Sequence, residues 1–311
     1  MSKIACVFPG QGSQSVGMLK ELAAHSGLVE ETFAQASDAL SYDLWDLVQN
    51  DDGTRLNQTH ITQPALLTAS VAAWRVFSER AKEKSIKVDY LAGHSLGEYS
   101  ALACADVLTL SDAVSLVKAR GEFMQQAVPA GAGAMYAIIG LDDASIINIC
   151  ADMAAESGKV VSAVNFNSPG QVVIAGEANV AEKAALACKE AGAKRALPLA
   201  VSVPSHCALM KPAADNLSEL LQEVSFKSPT IEVINNVDVK VENSAAAIKD
   251  ALLRQLYMPV RWTESVLSLS DNGVTKIIEV GPGKVLSGLN KRINKSLELL
   301  SFNQPSDLEN I

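Results

Sequence analysis

Cysteine is scarce in this chain of 311 residues: Cys6, Cys104, Cys150, Cys188 and Cys207 are odd in number, widely scattered and without a C-x-x-C pair. That pattern argues against a disulfide framework and against a zinc site, so reduced structural thiols and no metal are expected. No apolar stretch approaches the roughly 20 residues that a membrane helix needs. The opening Met1 to Phe8 also lacks the basic flank and long hydrophobic region of a signal peptide, so a cytoplasmic protein with no membrane partner is expected. Basic runs interleaved with aromatics are missing too, and 35 acidic against 26 basic residues leave a net charge of −9. Such a surface repels phosphate backbones, so no nucleic-acid partner is expected and any anionic ligand must be held by local positive charge.

Apolar residues make up 48% of the chain and charged ones 20%, enough to bury a full core in one large domain or a domain with an insertion. Lys3 to Phe8 reads as a buried strand that breaks at Pro9-Gly-Gln-Gly12. Helical patterns follow at about 17–48 and 63–83, then a strand at about 88–92 runs into Gly93-His-Ser-Leu-Gly97 and a helix from Glu98. From about 130 to 202 the elements read β (135–141), α (142–157), β (160–165), β (171–175), α (177–191), β (195–202). That order is the βαββαβ signature of a ferredoxin-like unit. The expected fold is therefore α/β, a core with a mainly parallel sheet and an inserted small subdomain, residues 1–128 and 204–311 forming the first and 129–203 the second. Strand candidates at 231–235 and 277–280 return to the large sheet.

Gly93-His-Ser-Leu-Gly97 matches G-x-S-x-G between a strand and a helix, where two glycines permit a sharp turn that exposes Ser95 Oγ as a nucleophile. The following helix aims its first N–H groups at any oxyanion formed there. Only four histidines are available as a base. His94 is side by side with Ser95 in the turn and reads as structural, while His25 and His60 lie in polar, turn-rich surroundings and read as surface residues. His206, after Val201-Ser-Val-Pro-Ser205 at the return to the large domain, is the preferred base. No acidic residue stands out at a strand end to complete a triad; a backbone or amide carbonyl could orient the imidazole instead.

Arg120 falls on the apolar stripe of a helix from Ser111 to Met124, with Ala113, Val117 and Met124. A guanidinium facing inward needs a partner, either an internal Asp or Glu or an anionic substrate. Gly10-Gln-Gly12 continues only at Gly17, so it is neither G-x-G-x-x-G nor a P-loop. A glycine-rich turn beside a strand end can instead supply a second backbone donor to an oxyanion. Lys284, Lys291 and Lys295 are expected on one helix face with Arg292 beside them, as a solvated face or as a basic patch for coenzyme A phosphates or an acidic protein.

Taken together, Phe8-Pro-Gly-Gln-Gly-Ser-Gln14, Thr62-Gln-Pro-Ala65, Gly93-His-Ser-Leu-Gly-Glu-Tyr-Ser100, Arg120-Gly121, Asn165-Phe-Asn-Ser-Pro-Gly-Gln171, Pro204-Ser-His206 and Glu279-Val-Gly-Pro-Gly283 resemble the malonyl-CoA:acyl carrier protein transacylases of bacterial fatty acid synthesis. The resemblance runs nearly end to end. It implies an α/β-hydrolase-like core with a ferredoxin-like subdomain, and an active site in the cleft between them. It also implies transfer of malonyl from malonyl-CoA to the phosphopantetheine thiol of holo acyl carrier protein through malonyl-Ser95, with His206 as base and no cofactor. In the same family pattern Arg120 binds the malonyl carboxylate, the N–H groups of Gln11 and Leu96 form the oxyanion hole, the Gln255 carbonyl orients His206, and Asn165 lines the cleft. A monomer is expected. The rivals are a thioesterase or esterase, which would accept water in the second step, a transacylase for methylmalonyl or acetyl groups, and a non-enzymatic scaffold.

Overall fold

The structure, a computed structural model, describes residues 2–201 and 203–310. Strand β1 (Lys3–Phe8) is followed by helices α1 (Lys20–His25), α2 (Leu28–Leu40), α3 (Leu44–Asn50) and α4 (Thr59–Glu83). Then come β2 (Tyr90–Gly93), α5 (Leu96–Cys104) and α6 (Leu110–Ala127). The middle of the chain forms β3 (Gly133–Ile139), α7 (Asp143–Ser157), β4 (Val161–Ser168), β5 (Gln171–Glu177), α8 (Ala178–Glu190) and β6 (Arg195–Pro198). The remainder is α9 (Lys211–Glu223), β7 (Glu232–Ile234), α10 (Ala245–Tyr257), α11 (Trp262–Asp271), β8 (Val274–Val280), α12 (Val285–Ile293) and β9 (Glu298–Phe302).

Five strands form a wholly parallel sheet in the order β7-β2-β1-β8-β9. The period of two along β1 sends Cys6 and Phe8 into one hydrophobic core and Ala5 and Val7 into a second, on the opposite face. A strand buried on both faces has no polar side, which is why Lys3 to Phe8 reads as an unbroken apolar run. The larger core holds α2, α4, α5 and α6; the smaller holds α11 and α12.

The other four strands form a separate antiparallel sheet in the order β4-β5-β3-β6. Ile138, Val172 and Ile174 on one face pack with Ile146 of α7 and Ala184 of α8. Met135, Ala137, Val164 and Val173 on the other face meet Cys207, next in sequence to His206. The small sheet is also tied by backbone to the segment between α10 and α11: Phe166 N–H donates to Val260 O at 3.0 Å and Val260 N–H to Val164 O at 2.8 Å.

Two expectations need correction here. The last strand of the small unit stops at Pro198, short of the 202 expected; Ser202 itself lies outside the described residues. The helix after Gly283 runs from Val285 to Ile293, so Lys284 is its N-cap and Lys295 is beyond it, and the three lysines do not share one helix face. The edge strand β9 (Glu298–Phe302) is an element that the sequence expectations did not include.

Candidate active site

Ser95 sits between β2 and α5 with φ 52° and ψ −108°, a conformation rare for a residue with a Cβ. The turn has room only for glycine on either side. A Cβ on Gly93 would lie 1.9 Å from the Gly97 carbonyl carbon, and one on Gly97 would lie 2.1 Å from the Phe8 oxygen. Asn236, just past β7, clamps the turn: its Oδ1 accepts the Ser95 N–H at 2.7 Å and its Nδ2 donates to Gly93 O at 2.7 Å. The sequence Ser95-Leu-Gly-Glu98 has the form of a helix capping box, in which the hydroxyl would cap the helix. It does not, because Ser95 Oγ lies 2.8 Å from His206 Nε2 instead.

His206 is held by consecutive carbonyls at the end of α10. Its N–H donates to Leu256 O at 3.0 Å, and its Nδ1 lies 2.7 Å from Gln255 O. The last carbonyls of a helix lack intrahelical partners. For Gln255 the vacancy is written in the sequence, since the residue four positions on is Pro259, which has no N–H to give. A carbonyl can only accept, so Nδ1 carries the proton and Nε2 is left as the acceptor for the serine hydroxyl. His206 is 3% exposed. Burial, and then the positive charge of Arg120, push its pKa down to about 3, so the ring is neutral across the physiological range.

Arg120, on α6, is 2% exposed. Its Nη1 donates to Gln63 Oε1 at 2.8 Å, its Nη2 to Gln255 Oε1 at 3.0 Å, and Nη2 also lies 3.4 Å from Ser95 Oγ. Among the described residues it forms no ion pair, and its Nε has no partner. Of the two partners open to it on sequence grounds, the internal acid is therefore not in place. Two amide oxygens orient the cation without neutralising it, and that leaves its charge for a ligand. Glu98 on α5 is also 2% exposed and stands one amide further back. Its Oε2 accepts from Asn236 N–H at 2.9 Å and from Gln255 Nε2 at 2.8 Å. Burial raises its pKa to about 7, against the lowering effect of these two donors and Arg120.

A cavity of about 300 Å³ lies between the two sheets, with Gln11, Ser95, Leu96, Arg120, Asn165 and His206 on its wall. The N–H groups of Gln11 and Leu96 donate to no acceptor among the described residues, and Asn165 Oδ1 is buried without a partner. Six of the seven residues singled out from the sequence thus line one cavity, and Gln255 lies directly behind His206. His94 bonds through Nε2 to Asn167 Oδ1 at 2.8 Å across the two sheets, a structural contact. His25 is exposed, but His60 is half-buried with Nδ1 2.7 Å from Gln125 Oε1, so the expectation of a surface residue fails for it. Glu98, Asn236 and Gln63 were missed. The one local signal was Glu98, an acid in a helix whose residues are otherwise apolar or small.

Residues 5–300 match the acyl transferase domain family. The chain is 62% identical over 303 residues to the malonyl CoA-acyl carrier protein transacylase of Haemophilus influenzae, covering 97% of this chain and 96% of that protein. It is 61% identical to the protein of the same name from Salmonella typhimurium, covering 99% and 98%. Among solved structures, an acyl carrier protein S-malonyltransferase from Vibrio cholerae superimposes with a TM-score of 0.95 at 61% identity, covering 99% of both chains. A malonyl-transacylase in complex with its type II PKS acyl carrier protein does so with a TM-score of 0.95 at 58% identity, covering 99% of this chain and 98% of that one.

Proposed function

The chain belongs to the acyl transferase domain family, and we infer that it moves a malonyl group from malonyl-CoA to the phosphopantetheine thiol of holo acyl carrier protein. The observation that carries the malonyl reading is Arg120, a buried cation without a carboxylate, 3.4 Å from the serine hydroxyl. A short acyl group bearing a distal carboxylate supplies the missing partner, and a neutral acetyl group does not.

Ser95 is the nucleophile. His206 Nε2 takes the Ser95 proton as Oγ bonds to the thioester carbon, and the carbonyl oxygen becomes an oxyanion held by the N–H groups of Gln11 and Leu96. Collapse breaks the carbon–sulfur bond; the coenzyme A sulfur leaves with the proton from His206, and malonyl-Ser95 remains. The thiol of acyl carrier protein then enters, gives its proton to His206 and attacks the ester carbonyl; the acyl carbon–Oγ bond breaks, His206 returns the proton to Ser95 Oγ, and the cycle is ping-pong. Gln255 O keeps the imidazole in the tautomer that both half-reactions need. Asn165, with its unpartnered Oδ1, borders the acyl group from the small sheet.

The reaction needs no cofactor beyond the thioester substrate. Residues 1–128 and 204–311 form the large α/β-hydrolase-like domain and 129–203 a ferredoxin-like subdomain, a division supported by the strand order β4-β5-β3-β6 with two helices on one face. A cytoplasmic monomer is the working state. Incubation with malonyl-CoA and holo acyl carrier protein tests the assignment: malonyl-carrier protein should form far faster than free malonate, and the opposite ratio would make the chain a thioesterase.

A further inference from the structure

Arg120 is held by the side-chain oxygen of Gln255, and a glutamine amide can turn end for end at little cost, presenting an N–H₂ to the cation instead. What prevents this lies on the other side of the amide. Gln255 Nε2 is 2.8 Å from Glu98 Oε2 and 3.1 Å from Ser95 O. Glu98 Oε2, which also receives the Asn236 N–H, and the Ser95 carbonyl accept, while the guanidinium only donates, so one amide orientation satisfies all three neighbours and the other satisfies none.

Glu98 is available for this because its usual task has been taken over. At the third position of α5, in a Ser-x-x-Glu sequence, it would ordinarily reach back to the Ser95 N–H. That N–H is occupied by Asn236 Oδ1 at 2.7 Å. The Glu98 carboxylate turns instead to the Asn236 N–H and the Gln255 amide, and through these two residues it touches both the serine turn and the guanidinium.

We infer that Glu98 is a positioning residue that sets selectivity for carboxylated acyl groups: its Oε2 fixes the Gln255 amide, whose oxygen aims the Arg120 guanidinium at the acyl site. The inference rests on the malonyl reading above. An acid placed directly against Arg120 would cancel the charge that the acyl carboxylate has to meet. Placed one amide away, it orients the cation and leaves that charge available. Loss of Glu98 therefore damages recognition of malonyl more than the serine chemistry, whose base is oriented by the Gln255 main-chain oxygen.

The test is the ratio of kcat/KM for malonyl-CoA to that for acetyl-CoA, with holo acyl carrier protein as acceptor. Glu98→Ala should lower the ratio by about 10-fold or more, the scale of one buried hydrogen-bonding group left unpartnered. Glu98→Gln, whose amide oxygen can still accept both donors, should hold it within about 3-fold of native. An unchanged ratio in Glu98→Ala overturns the inference, as does a ratio equally low in Glu98→Gln. If Glu98→Ala does not fold, Gln255→Met decides by the same criterion, since it removes the amide and keeps the carbonyl that faces His206. The side-chain amide protons of Gln255 give a readout that ignores the acyl group: they should exchange slowly in the native chain and Glu98→Gln, and rapidly in Glu98→Ala. A native chain with no preference for malonyl over acetyl would remove the acyl-group reading, and the Gln255 exchange would still decide whether Glu98 holds the amide.

Discussion

His206 Nδ1 lies 2.7 Å from the main-chain oxygen of Gln255, on the side of the ring away from Ser95. The position that a carboxylate fills in a Ser-His-Asp triad is thus occupied by a neutral acceptor that cannot be lost to protonation. With the ring buried and Arg120 nearby, His206 titrates far below its ordinary 6.5, at about 3. The rate of malonyl-Ser95 formation, followed by the coenzyme A burst, should accordingly stay level as pH is lowered through 6.5 and fall only in the acid range where the enzyme itself begins to fail. A midpoint near 6.5 would mean that His206 is solvated.

Arg120→Ala should lower kcat/KM for malonyl transfer by about 10²–10³-fold, as expected when one side of a buried charged contact is removed. Acetyl transfer should be spared or improved, because an acetyl group has no distal carboxylate for the guanidinium to meet. Equal losses for the two thioesters would make Arg120 a structural cation.

Much of this was legible in the sequence, for reasons that can be stated. The serine turn is a local event, so Gly93, Ser95 and Gly97 announce it within five residues. With only four histidines, elimination led to His206. What escaped was long-range: Asn236 reaches the serine turn across 141 positions and Glu98 reaches Gln255 across 157, and no periodicity encodes such pairs. The role of the Gln255 carbonyl entered only by family resemblance, although Pro259 four residues on was a physical signal for it.

Asn236→Ala removes two hydrogen bonds to the main chain of the serine turn, one buried and one partly buried. It should destabilise the protein by about 2–4 kcal/mol in urea unfolding, counting about 1–2 kcal/mol for each orphaned main-chain group. Acylation should slow as well, since Ser95 would no longer be held at φ 52°. Full stability would show that water replaces the amide without loss.

Gly97→Ala should abolish folding or cost more than about 4 kcal/mol, because the added Cβ meets the Phe8 main-chain oxygen and neither strand nor helix can yield. Expression of a stable soluble variant would mean that the β1–α5 approach is looser than 2.1 Å implies.

The buried Glu98 gives stability a distinct pH signature. Its folded pKa is raised from 4.5 to about 7, so the folded state binds the proton more tightly and the stability from this group is full below 4.5. It is lost as pH rises through 7. Native stability relative to Glu98→Gln should therefore decline between pH 4.5 and 7 and be flat on either side. A decline in the opposite direction would mean that the Asn236 and Gln255 donors outweigh burial.

The central claim is that Ser95 carries the malonyl group. Intact-mass measurement after brief treatment with malonyl-CoA tests it most directly: the native chain should gain one malonyl group that holo acyl carrier protein removes, and Ser95→Ala should gain none. An unmodified native chain, or an adduct that persists in Ser95→Ala, would contradict the account.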